Sequence, residues 1–67
     1  MKAFLARDSN GLIFLYHPNP PIKAKKIWIK AFRTDTLSAI NKDLFSEVKW
    51  EDEEPTEINI EIVNKHQ

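Results

Sequence analysis

The chain contains no cysteine and a single glycine, Gly11. Without cysteine there is no disulfide, no thiolate zinc site and no cysteine nucleophile. One glycine is too few for a glycine-rich phosphate loop. The two histidines, His17 and His66, lie far apart and show no metal-ligand spacing. The longest apolar run, Leu12 to Tyr16, falls far short of the roughly 20 residues that span a bilayer. AFLA, between Lys2 and Arg7, is too short for the apolar core of a signal peptide. There is no net charge either, ten cations balancing ten acids. These absences predict a cytoplasmic protein with no membrane partner, no metal and no cofactor; lack of cysteine suits a reducing compartment.

What is present is organised around Lys2 to Tyr16, KAFLAR-DSNG-LIFLY. Asn-Gly between two β-favouring runs is a strong local hairpin signal. Gly11 takes positive φ cheaply, and Asn10 tolerates the left-handed region better than most residues. Asp8 can turn its carboxylate back onto nearby backbone amides. The expected loop is Ser9-Asn10-Gly11, with a strict two-residue loop as the competing reading. Strand alternation places Ala3 and Leu5 on one face of the first arm and Phe4 and Ala6 on the other. In the second arm Leu12, Phe14 and Tyr16 oppose Ile13 and Leu15. A hairpin wet on one side would alternate apolar with polar. This one needs cover on both faces, from its own sheet or from a second subunit.

After the hairpin, His17 to Pro21 (HPNPP) reads as an extended connector, because proline fixes φ and donates no backbone hydrogen bond. Residues 26–32 alternate as a third strand, with Ile27, Ile29 and Ala31 opposite Trp28, Lys30 and Phe32. Residues 33–46, RTDTLSAINKDLFS, are ambiguous. As a helix over 35–46, Thr34 or Asp35 would cap it and Leu37, Ile40 and Leu44 would form a stripe. Against a helix stand Thr36, Ile40, Asn41 and Asp43; the competing reading is a strand at 37–41 and a short helical turn near 42–46. Glu51, Asp52, Glu53 and Glu54 repel one another and mark a solvated loop. Residues 57–63 alternate isoleucine with polar residues, as in a strand with one dry face. The predicted fold is therefore all-β: one domain over 1–67, with about five strands in a small antiparallel sheet curling toward a barrel. Its expected elements are strands near 2–7, 12–16, 26–32, 37–41 and 57–63, a short helical turn, and a frayed tail at 64–67. The alternative is α+β, with a helix near 35–46.

KAFLARDSNG and a following LY, a proline-containing connector, a tryptophan and LFSEVKWEDEEP form a pattern covering nearly the whole chain. In this the chain resembles short, uncharacterised proteins of gut Bacteroidales bacteria. The resemblance favours a short strand at 37–41 followed by a turn at LFSEV. It implies no activity, and no functional residue is carried over from it.

For chemistry the sequence offers little. Ser9, Ser38 and Ser46 lie in no arrangement of nucleophile, base and orienting group. Paired carboxylates such as Glu51 and Glu53 act as acid and base only where burial separates their pKa values, and a run of four acids stays wet. The expectation is no enzyme. The charge is uneven, however. Residues 1–33 set seven cations against Asp8 (net +6), and residues 34–67 set three lysines against nine acids (net −6). A domain of this size buries only about 60% of its unfolded surface, so self-association is a natural source of further burial. The leading expectation is a protein-interaction or structural module, a homodimer or a partner of another protein, with Trp28, Phe32 and Trp50 as candidate interface residues. The alternative is single-stranded nucleic-acid binding. Lys23, Lys25, Lys26, Lys30 and Arg33 would track phosphate there while Trp28 and Phe32 stack on bases.

Overall fold

The structure, a computed structural model, describes residues 1–61. Strands β1 (Lys2–Arg7) and β2 (Ile13–Pro18) form the expected hairpin, pairing Phe4 with Tyr16, Leu5 with Leu15 and Ala6 with Phe14. The Asp8 amide donates to the Leu12 carbonyl at 2.7 Å and the Gly11 amide to the Asp8 carbonyl at 2.9 Å. Gly11 sits at φ 92°. A turn closed by a residue of positive φ is the three-residue hairpin loop, Ser9-Asn10-Gly11. Asn10 tightens it by accepting the Leu12 amide on Oδ1 at 3.1 Å.

The hairpin is the centre of a four-stranded antiparallel sheet, in the order β5-β2-β1-β6. Its edges are β5 (Thr34–Ile40) and β6 (Thr56–Asn59). Two further short strands, β3 (Ile22–Lys23) and β4 (Trp28–Ile29), make a separate antiparallel ribbon. The all-β class holds, but the sheet stays open and does not close into a barrel.

Residues 34–40 are strand, so the α+β alternative with a helix at 35–46 does not hold. Three β-branched residues, Thr34, Thr36 and Ile40, favour the extended chain. Pairing with β2 also satisfies an edge of the hairpin that a helix would leave open. A bulge interrupts the register between Leu15 and Tyr16, leaving Leu37 the extra residue on β5. The short helical turn expected near 42–46 is absent too. In its place are two successive turns, Leu44 amide to Asn41 carbonyl at 3.0 Å and Val48 amide to Phe45 carbonyl at 2.9 Å. Phe45 adopts φ 56°, which a right-handed helix cannot contain.

The strand expected over 26–32 shrinks to Trp28–Ile29. A turn from Ala24 to Ile27 precedes it, and Arg33, at φ 61°, ends the segment before β5. The predicted connector His17–Pro21 conversely gives its first two residues to β2, and β3 follows directly after it. The last expected strand, 57–63, is observed as Thr56–Asn59; residues 62–67, with the expected frayed tail, lie outside the described residues.

Both hairpin faces are covered by the chain itself. On one, Phe4, Ala6, Phe14 and Tyr16 pack with Trp28 and Trp50. On the other, Leu5, Ile13, Leu15, Ile40 and Ile58 pack with Val48. The cover comes from the β3–β4 ribbon and from the loop between β5 and β6. That loop joins the two outermost strands, so it traverses the width of the sheet and sends Val48 to one face and Trp50 to the other.

Candidate interaction surface

Arg7, at the end of β1, holds the traversing loop in place. Its Nε donates to the Val48 carbonyl at 2.7 Å, and Nη1 to the carbonyls of Gly11 at 2.7 Å and Lys42 at 3.0 Å. Nη2 donates to the carbonyls of Leu44 at 3.0 Å and Phe45 at 3.1 Å. A planar guanidinium presents its donors in a fixed fork, which suits carbonyls converging from a bent backbone. None of these partners is a carboxylate; Arg7 is a structural clasp.

Asp8 is buried and serves the ribbon. Its Oδ1 accepts the Trp28 amide at 2.8 Å, so the carboxylate reaches across the fold instead of turning back onto its own turn as expected. The Trp28 indole donates to the Arg7 carbonyl at 3.0 Å. Ser9 completes the join, donating from its amide at 3.0 Å and its hydroxyl at 2.7 Å to the Lys26 carbonyl. The hairpin turn thus grips the ribbon at Lys26 and Trp28. Tyr16 lies on the same face. Burial pushes its phenol above the ordinary value of 10.0, and the negative charge of Asp8 adds to the rise.

Trp28 and Trp50 meet edge to face, 6.4 Å between ring centroids at 83°. The Lys23 ammonium lies 4.3 Å from the Trp50 ring centroid and donates to the carbonyls of Trp50 and Asp52. These contacts fasten the ribbon to the traversing loop. The sequence-predicted site residues therefore separate. Trp28 is 5% exposed, a core side chain closed to any partner, and Trp50 is half-buried beside it. Lys23 is occupied within the chain. Phe32, by contrast, is 84% exposed.

Around Phe32 and the buried Trp28 the structure leaves several side chains open. Ile22 and Ile29 form a cross-strand pair on the ribbon, and both are exposed, as is Ile27. Lys25, Lys26, Lys30 and Arg33 are exposed between them. The Arg33 guanidinium carbon stands 5.4 Å from the Phe32 ring centroid. Sequence alternation alone missed the exposed isoleucines. It placed Ile27 and Ile29 opposite Trp28 without showing which side would meet the hairpin.

A cleft of about 370 Å³ opens beside the hairpin turn, lined by Arg7, Asp8, Lys42, Lys49 and Glu51 among others. Arg7 and Asp8 are already committed to backbone groups. Among the described residues, no group of three or more His, Cys, Asp and Glu side chains is placed to hold a metal ion. No helix among them is long and apolar enough to cross a membrane. Compared with known protein families, with curated proteins and with solved structures, the chain matches none.

Proposed function

We propose that the chain is a small non-catalytic interaction module that self-associates, and that the segment from Ile22 to Arg33 is its contact surface. The observation that carries this reading is the exposure of Phe32, Ile22, Ile27 and Ile29 on one short segment, although the rest of the chain covers both faces of its hairpin. Single exposed apolar residues are ordinary on a protein surface, whereas grouped ones mark interaction sites. The need for a partner thus moves from the hairpin to the ribbon. A cytoplasmic setting suits a chain free of cysteine.

The test compares the wild type with the double variant Ile29→Ser, Phe32→Ser by sedimentation velocity over a range of concentrations. The wild type should gain mass with concentration. The variant should stay monomeric while keeping the wild-type circular dichroism and Tm, because both side chains lie outside the core. A wild type that remains monomeric at high micromolar concentration refutes the reading.

Single-stranded nucleic acid is the second reading, favoured by the exposure of Lys25, Lys26, Lys30 and Arg33 beside Phe32. Burial of Trp28 leaves Phe32 alone to stack, where such surfaces use several rings.

A further inference from the structure

We infer that the ribbon's counterpart is the traversing loop of a second copy, so that two chains close a two-fold dimer through opposite charge. This rests on the self-association proposed above and names the surface it uses. Residues 22–33 carry Lys23, Lys25, Lys26, Lys30 and Arg33 and no acid. Residues 41–54 carry Asp43, Glu47, Glu51, Asp52, Glu53 and Glu54 against Lys42 and Lys49. Each segment also exposes apolar side chains: Ile22, Ile27, Ile29 and Phe32 on the ribbon, Leu44 and Phe45 on the loop. The two are opposite in charge; Leu44 and Phe45 precede the crossing at Val48 and the acids Glu51 to Glu54 follow it, so the complementarity rests on charge.

Among the described residues neither charge set is neutralised by an ion pair within the chain. Among the described residues the one ion pair is Lys2 with Glu57, at 3.9 Å and well exposed. Where ribbon and loop touch, Lys23 meets carbonyls of the loop and no carboxylate. Asp52 turns its Oδ2 onto the Lys49 amide at 3.0 Å, which leaves Glu51, Glu53 and Glu54 exposed. Complementary surfaces of this kind steer encounter and fix register between partners.

Ribbon and loop are neighbours on one copy, joined at Lys23. A two-fold axis set between them brings each ribbon onto the partner's loop and each loop onto the partner's ribbon. The assembly then closes as an isologous dimer and does not run on as a chain. Pairing along an outer edge of the sheet, the longer being β5, is a competing geometry for a second copy. The bulge at Leu37 counters it on β5 by breaking the row of backbone groups that such pairing needs.

The experiment is a charge-reversal cycle read by sedimentation velocity at low and high salt. Lys25→Glu with Lys26→Glu should weaken self-association about tenfold or more, and Glu53→Lys with Glu54→Lys should do the same. All four side chains are exposed, so each variant should fold as the wild type by circular dichroism and tryptophan fluorescence. An equimolar mixture of the two variants should recover association as a heterodimer. Salt should weaken the wild-type dimer, since exposed charges are screened within about 10 Å at 0.1 M ionic strength. Four results overturn the inference. If both variants associate like the wild type regardless of salt, the loop is not the counterpart, and self-association stands on its own. If the mixture fails to recover what each variant lost, the two patches do not face each other. If the wild type is monomeric throughout, the inference falls together with the proposed function, as it does if single-stranded oligonucleotide binds the monomer and Lys25→Glu with Lys26→Glu abolishes that binding.

Discussion

Replacing Arg7 by alanine tests how the fold is held. The substitution removes five hydrogen bonds to backbone carbonyls. Two of them, to Val48 and Gly11, are partly buried; the other three are exposed, and water replaces those partners at small cost. A hydrogen bond to a charged group contributes roughly 1.5–3 kcal/mol, so the two sheltered bonds set a loss of about 2–4 kcal/mol after allowance for partial exposure. Native stability runs at about 0.05–0.15 kcal/mol per residue, which for a chain this short is roughly 3–10 kcal/mol in all. Arg7→Ala should therefore remove a fifth or more of the stability and lower Tm by roughly 10–30 °C. Arg7→Lys keeps the charge but not the fork, and should fall closer to alanine than to the wild type. Urea unfolding followed by tryptophan fluorescence reads the effect, because Trp50 lies on the loop that Arg7 holds. An Arg7→Ala protein within about 0.5 kcal/mol of the wild type, the range of ordinary surface substitutions, would falsify the clasp.

Gly11→Ala should destabilise by about 1–2 kcal/mol in the same assay. An added Cβ would meet no atom within 4 Å, so the cost is that of holding φ 92° with a side chain present; an unchanged urea midpoint would contradict the assigned loop. Tyr16 is the sole tyrosine, so the tyrosinate absorbance reports it alone. Its folded pKa lies above the unfolded 10.0, so on alkaline titration the unfolded chain loses the phenolic proton first. The stability this phenol contributes is complete below pH 10 and is lost as pH rises through the folded value. Tyr16→Phe should lack that portion of the alkaline loss, and a folded phenol titrating at or below 10.0 would refute the assigned burial.

The hairpin was legible because its signals are local. Asn10-Gly11 marks the turn, and the alternation on either side sets the register that pairs Phe4 with Tyr16. The need for cover on both faces was legible too, but the identity of the cover was not. Val48 and Trp50 sit two residues apart, a spacing that reads as one face of a strand, and the loop instead carries them to opposite sides of a sheet. Arg7 was silent for a different reason. Its partners are main-chain carbonyls, which every residue has, so no side chain in the sequence announces them. Strand β3 follows the prolines and is two residues long, too short for periodicity to show. Residues 34–40 gave conflicting local signals, resolved by the open edge of β2. On the candidate surface, the cations and Phe32 were legible as contact candidates, but not which of them the fold would leave open. The burial of Trp28 depends on Asp8, 20 residues away, and long-range pairing of that kind leaves no local trace.

The loop that straddles the sheet has a thermodynamic consequence. Two apolar clusters on opposite sides of one sheet share its strands, as consecutive Phe4 and Leu5 do on β1, but cover packed on each side separately could still lift separately. Here a short run of backbone, Val48 to Trp50, belongs to both, and lifting it dissolves both at once. The chain should therefore lose its two cores in one cooperative transition, with amide exchange on the Leu5 side and the Phe4 side governed by the same opening.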